Sequence, residues 1–262
     1  MIVRVVVCQL PLGQAGLTLR QKLAILRHGG DFVCLPEYFM IPPDSTDYAK
    51  FAARYDANIE HLAKLSGDLN ATLIAGSIVA RSAGKLYNTC FVFSHGYRIG
   101  AYQKMFPTVG EMERGISQGS SFASWTIDGI RVGVLLCADV LRPESFDEMG
   151  RRQVDITFAP TISPYKPDDT PEEKQKRDEG IYVRGASNSG SYIVKVCATG
   201  CVFGKRLQGR SLVAAPWKLL WGVPSQYESA PIINSVDLDI DRLREHRRRA
   251  LIERLVTDAR TA

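Results

Sequence analysis

The chain has 262 residues, enough to bury a sizeable core as one large domain or two small ones. Its 45% hydrophobic and 23% charged residues are those of an ordinary globular protein, and a net charge of +5 is too small to argue by itself for a nucleic-acid or membrane partner. The sequence has no run of about 18 apolar residues, so no membrane span is expected.

The opening "IVRVVVCQL" reads as a first strand. It lacks the longer apolar region and small-residue cleavage site of a secretory leader, so a cytoplasmic location is expected. "LTLRQKLAILRHGG" carries apolar residues at helical spacing, with Thr18 placed to cap its start and Gly29-Gly30 to stop it. "DFVCLPE" is a short buried strand ending at Pro36, and residues 47 to 66 read as a second helix stopped at Gly67. "TLIAGSIVAR", the turn "SAGK", "LYNTCFVFS", "HGYRIG" and "AYQK" form a hairpin meander. "GIRVGVLLC" is a further strand, and "PESFDEMGRRQ" a helix with Pro143 in its first turn. "DITFAP" is a strand, residues 171 to 190 are helical in tendency, and "YIVKVCAT", "RSLVAAP" and "PIINSVDLD" are late strands before a basic helix over 240 to 255. The alternation predicts an α/β fold with helices covering mixed sheets, in one domain over residues 1 to 262. The proline-rich loop 163 to 173 is too short for a linker and is expected to rim a site.

Six cysteines stand at 8, 34, 90, 137, 197 and 201. None forms a CxxC pair and the pair 197/201 has no nearby histidine, so no metal and no cofactor is expected. At least four should be buried thiols acting as small hydrophobes. Phosphate-loop, dinucleotide, zinc-protease and serine-elbow motifs are all missing. "GASNSGS" reads as a turn before a strand. Histidines occur only at 28, 61, 95 and 246, and His246 lies in the charged stretch "REHRRRAL", so a cysteine–histidine pair is disfavoured.

A nucleophilic Cys137 would then need a carboxylate as its base, which a carboxyl in an apolar pocket can be. Glu37 ends "DFVCLP" and is either that base or a solvated strand-end acid. Lys104 ends "AYQK" and is either a surface charge or an ammonium aimed at an oxyanion. Acid, lysine and thiol at three strand ends make a hydrolytic set.

Glu37 in "CLPEYF", Lys104 in "YQKMFP" and Cys137 in "LLCADVLRPE" resemble, in order and spacing, the triad of the nitrilase superfamily of carbon-nitrogen hydrolases. The likeness continues through "YVRGASNSGSYIV", "GRSLVAAPWKLLW" and "IINSVDLDIDRLREHR" and so covers nearly the whole chain. It implies a four-layer αββα sandwich, a homodimer or higher homo-oligomer, and a small-molecule amide substrate without cofactor. It also implies that Glu37 takes the proton of Cys137, that a thioester forms, and that Lys104 and the N–H of Ala138 hold the oxyanion. A second glutamate often follows the lysine; Glu111, seven residues on, aligns better than Glu113.

Departures from the family pattern bear on the substrate. Ala138 and Arg142 stand where Asn or aromatic residues are frequent, and Arg142 would pair with Glu144 or bind a substrate carboxylate. Asp139 would brace the turn after Cys137, and Pro143-Glu144 resembles the amidase and carbamoylase branches. The expected activity is hydrolysis of a small amide or N-carbamoyl compound to acid plus ammonia or amine. The alternatives are a nitrile hydrolase on the same residues, or an inactive member or basic-helix interaction protein. Alanine at 137 should abolish turnover; Gln at 37 and Ala at 104 should do so with thermal unfolding little changed.

Overall fold

In the computed structural model, which describes residues 1–261, strand direction decides where the chemistry can gather. The first half of the chain supplies β1 (Ile2–Pro11), β2 (Phe32–Cys34), β3 (Thr72–Ile74), β4 (Ile78–Ser82), β5 (Lys85–Ser94) and β6 (Tyr97–Gln103). The second supplies β7 (Ser124–Ile127), β8 (Ile130–Val134), β9 (Ile156–Thr161), β10 (Tyr192–Thr199), β11 (Cys201–Val202), β12 (Lys205–Arg206), β13 (Leu212–Ala215), β14 (Lys218–Gly222) and β15 (Ile232–Asp239). Strands β1, β2 and β3 run parallel; β5 opposes β3 and β6 opposes β5, so β6 again runs with β2. Strands β8, β9 and β10 are parallel to one another, and β10 pairs parallel with β1 where Leu10 meets Ala198 and Pro11 meets Thr199. Consequently β2, β6, β8 and β9 all point their C-terminal ends to one edge, where ligands bind in α/β sheets.

The side-chain alternation of the strands sorts the core into three layers. Val3, Val5 and Val7 of β1 face Val132, Val134, Ile156, Phe158, Val194 and Val196 of the other half, filling the space between two sheets. Val6, Cys8 and Leu10 of the same strand face the opposite way, onto Ile25, Leu62 and Leu65 of helices α1 (Leu19–His28) and α3 (Tyr55–Leu69). Ile193 and Ala214 likewise turn outward onto Phe146, Met149 and Ala186 from α5 (Pro143–Arg151) and α7 (Arg184–Ser189). Helix, sheet, sheet, helix is the αββα order that the family resemblance implied. Each aliphatic side chain taken fully from water contributes about 1.5–3 kcal/mol.

Helix α1 starts as its capping signals require: Thr18 and Gln21 form a capping box, and Gly29 closes it in the left-handed conformation. The helix expected over 47 to 66 is instead two, α2 (Tyr48–Ala52) and α3, and α3 runs through Gly67 to a left-handed Asn70. Gly67 is not a stop; it lies against Gly96 in the β5–β6 turn. Residues 171 to 190 form α6 (Pro171–Asp178), a π-helical turn over Glu179–Val183, and α7. "GASNSGS" therefore sits mostly in α7 and its left-handed Gly190 cap rather than in a simple turn. α4 (Val109–Glu113) follows β6, and α8 (Ile240–Thr261) is the last helix. Among the described residues no helix is long and apolar enough to cross a membrane.

Candidate active site

Glu37, Lys104 and Cys137 each follow the end of a strand, and each is held by a backbone device. Chain reversal after β2 places Tyr38 at φ 54°, and Gly76 lets the Pro36 carbonyl approach so closely that a Cβ there would meet its oxygen at 2.0 Å. Lys104 follows β6, fixed by its N–H donating to the Asn88 carbonyl at 2.9 Å and its carbonyl accepting from Gly119 at 2.8 Å. A Cβ at Gly119 would meet the Gln103 carbonyl oxygen at 2.3 Å. The strand expected to run to Cys137 stops at Val134; Cys137 then opens a 3-10 turn, Cys137–Leu141, with φ 45°. A non-glycine residue held there costs about 1–3 kcal/mol, an outlay concentrated at functional sites.

Asp139 supplies the brace. Buried completely, it accepts from Leu136 N at 2.8 Å and Tyr102 Oη at 2.7 Å on one oxygen and from Phe106 N at 2.8 Å on the other. One carboxylate thereby ties the turn that carries Cys137 to both flanks of Lys104.

The ionisable side chains converge in a buried cluster; Glu37, Asn88, Lys104 and Glu111 are each no more than 3% exposed. Lys104 Nζ donates to Glu37 Oε1 and to Glu111 Oε2, both at 2.8 Å. Asn88 Nδ2 donates to Glu37 Oε1 at 2.9 Å and Glu111 Oε1 at 2.7 Å. Glu111 also accepts from Tyr38 Oη at 2.8 Å and from the N–H and hydroxyl of Thr108. The backbone of Ile162, just past β9, bonds to both base and thiol: its N–H donates to Glu37 Oε2 at 3.1 Å and its carbonyl accepts from Cys137 Sγ at 3.2 Å.

The electrostatics separate the two acids. Burial lifts Glu37 above the usual carboxylate value; Lys104 opposes this and the charge of Glu111 adds to it. Burial also pushes Glu111 up, but Lys104, Thr108 and Tyr38 outweigh it and hold Glu111 below its ordinary value. Burial would strip Lys104 of its proton, yet Glu37, Cys137 and Glu111 together raise it, so it stays an ammonium. Burial and then Glu37 raise the Cys137 thiol, against the pull of Lys104. With the thiol raised and the lysine held as an ammonium, a thiolate forms only as Glu37 takes the proton.

Of the residues singled out in the sequence, Glu37, Lys104, Glu111 and Cys137 come together and Ala138 follows in the same turn. Glu113 is exposed. Arg142 is not brought to the cluster: it is exposed, with its guanidinium 5.4 Å over the Phe106 ring, and among the described residues it forms no ion pair with Glu144. His246 packs against Trp217 at 5.3 Å. Four cysteines, 8, 34, 90 and 197, are buried, Cys137 is half-buried and Cys201 exposed. Asn88 and the Ile162 backbone were not singled out. "YNTC" in a strand reads only as alternation, and a backbone contribution leaves no residue-type signal.

The carbon-nitrogen hydrolase family model matches residues 8–248, nearly the length over which strands, cluster and turn are built. The chain belongs to the carbon-nitrogen hydrolase family. This is the nitrilase superfamily to which its strand-end motifs pointed. It is 25% identical over 244 residues to an omega-amidase of Xenopus tropicalis, covering 86% of this chain and 83% of that protein. It is 30% identical to the human omega-amidase over 122 residues, which is 43% of this chain; the match spans less than half, 44%, of the human protein. The fold superposes on a carbon-nitrogen hydrolase of Helicobacter pylori with a TM-score of 0.82 at 19% identity, covering 97% of this chain and 95% of that one. It superposes on a Glu-to-Gln mutant of a Nesterenkonia amidase with a TM-score of 0.76 at 20% identity, covering 96% of each chain. That mutant carries the acetamide moiety of fluoroacetamide covalently on its active-site cysteine.

Proposed function

We propose that this carbon-nitrogen hydrolase is a cysteine-dependent amidase that cleaves a small linear amide or N-carbamoyl compound. The observation that carries this reading is the Ile162 backbone holding Cys137 Sγ on its carbonyl and Glu37 Oε2 on its N–H, with Lys104 fixed between two carboxylates. The amidase names among its relatives and the adduct on the Nesterenkonia cysteine support the same chemistry.

Glu37 removes the proton of Cys137 as sulfur attacks the carbonyl carbon. The carbonyl oxygen becomes an oxyanion facing the Lys104 ammonium and the Ala138 N–H. Losing one such donor typically costs about 3 kcal/mol of transition-state stabilisation. The tetrahedral centre collapses, the C–N bond breaks, and Glu37 returns its proton to nitrogen, so that ammonia or an amine leaves a thioester on Cys137. Water then gives a proton to Glu37 and its oxygen attacks the thioester. Collapse breaks the C–S bond, Glu37 reprotonates sulfur, and the acid departs. The lysine stays charged throughout, and Glu111 holds it in place.

The test is ammonia release from aliphatic amides, aromatic amides, omega-amides and N-carbamoyl amino acids, with a nitrile in the same panel. Turnover of at least one amide or carbamoyl compound, its loss in Cys137→Ala, and no reaction with the nitrile are expected. Wild-type turnover in Cys137→Ala would refute the mechanism, and nitrile turnover without amide turnover would refute the substrate class.

A further inference from the structure

The two buried acids differ in how fully their oxygens are used. A carboxylate offers about four lone-pair positions. Around Glu111, donors converge from Tyr38, Asn88, Lys104, and both the N–H and hydroxyl of Thr108, so no position is left for a proton. Glu37 accepts from Lys104 and Asn88 on Oε1, but among the described residues Oε2 accepts only from Ile162 N. One position therefore stays open on Oε2, the oxygen bound to the N–H of Ile162, whose carbonyl also holds the Cys137 thiol.

Asn88 is an uncharged side chain that touches both acids, and its orientation is forced. Turned over, the amide would set Oδ1 against two carboxylate oxygens now 2.9 and 2.7 Å from Nδ2. Oδ1 itself has no protein partner among the described residues. The Asn88 backbone carbonyl accepts from Lys104 N, so the side chain that spaces the acids is registered to the lysine between them. Two carboxylates this close share a proton unless donors separate their charges.

We propose that Asn88 is a positioning residue for the proton transfer. By donating to Oε1 of Glu37 and Oε1 of Glu111 it keeps Glu37 anionic beside a second carboxylate, and it leaves Oε2 as the oxygen that receives the Cys137 proton. This rests on Glu37 being the base. The charged and titratable groups facing Glu37 are Lys104 after β6, Glu111 on α4, Cys137 on the 3-10 turn, and the phenols of Tyr38 and Tyr48. Without Asn88, Glu37 faces the same neighbours with one donor fewer and takes up a proton more readily.

Alkylation by iodoacetamide reads the transfer without knowledge of the substrate. Rates at Cys137 are followed peptide by peptide by mass spectrometry, with the exposed Cys201 as a control thiol in the same molecule. In the wild type the Cys137 rate should rise with pH as Glu37 ionises. In Asn88→Ala that rise should move by about one unit to higher pH while the plateau stays within about threefold. Asn88→Ser keeps one donor and should fall between; the Cys201 profile should not move, and the thermal transition should stay cooperative at a lower temperature, since a buried donor to two carboxylates is lost. A uniform loss of rate with an unmoved rise would overturn the proposal, as would loss of the cooperative thermal transition in both variants, which would assign Asn88 to the fold alone. Failure of the underlying reading looks different: wild-type Cys137 would follow the Cys201 profile, and Glu37→Gln would leave its rate unchanged.

Discussion

Lys104 is 1% exposed and lies 2.8 Å from a carboxylate oxygen on each side, so its removal cannot be a silent change to the fold. Read from the sequence, a strand-end lysine looked replaceable without loss of stability; the buried ion triad reverses that expectation. Lys104→Ala leaves Glu37 and Glu111 facing each other while buried, and breaking a buried ion pair on one side costs about 3–5 kcal/mol. The unpaired acids then bind protons more tightly in the folded than in the unfolded chain, so the variant gains relative stability as pH falls. Thermal melts should show a gap to wild type of about 6–20 °C at neutral pH, narrowing toward pH 5; an equal gap at both values would contradict it. Glu37 makes the second residue-scale prediction. Burial raises it, and a base must be ionised to act, so activity falls as pH drops through its raised value. The acid limb of kcat/KM should therefore lie above the ordinary glutamate value of about 4.3, and a limb at or below that value would exclude Glu37 as the base.

The 3-10 turn Cys137–Leu141 is the element on which the nucleophile depends, and Asp139 is what holds it in shape. Asp139→Asn keeps the volume but turns one acceptor into a donor, facing either Phe106 N or the pair Tyr102 Oη and Leu136 N. An unmet buried donor costs about 1–3 kcal/mol. The expected result is a fall in kcat of about tenfold or more together with a lower melting temperature; unchanged kcat would show that the turn is held by other means. How much of this was legible follows from the kind of signal each feature leaves. Strand ends could be read because apolar runs stop at Pro36, at Lys104 and near Cys137. The split of residues 47 to 66 into α2 and α3 could not, because Ala53 and Arg54 are good helix formers and give no stop signal. Gly67 misled because a glycine near a helix end reads as a stop, whereas α3 continues to Leu69 and is closed by the left-handed Asn70. β14 and the β11–β12 hairpin were not distinguished either, since "KLLWG" and "CVFGKR" are too short to carry a period. Asn88 is separated by 51 residues from Glu37 and 23 from Glu111, so only the folded sheet reveals what it touches.

At the scale of the molecule, the basic run in α8 is part of what holds the layers together. Asp155, 1% exposed at the start of β9, accepts from Arg244 and Arg247 of α8 and from the Arg131 N–H of β8. Arg247 also donates to the carbonyls of Val154 and Gly190, so one side chain pins α8 to the ends of both α5 and α7. Arg249 pairs with Glu245 along the helix. Arginines behind the alternative of a basic-helix interaction protein are therefore partly consumed inside the fold. Asp155→Ala leaves two guanidinium groups without their carboxylate, but Arg244 is 41% exposed and can turn to water, so the loss belongs at the lower end of the range for a broken buried pair, about 3 kcal/mol. For a chain of this size that is a fall in melting temperature of about 6–12 °C. The site lies at the C-terminal ends of β6, β8 and β9, whereas Asp155 stands before β9, at the opposite edge. Asp155→Ala should accordingly lose stability and become more open to trypsin within residues 242 to 249, while kcat below the transition stays near wild type. A fall in kcat as large as that of Asp139→Asn would mean that docking of α8 reaches the nucleophile turn across the sandwich.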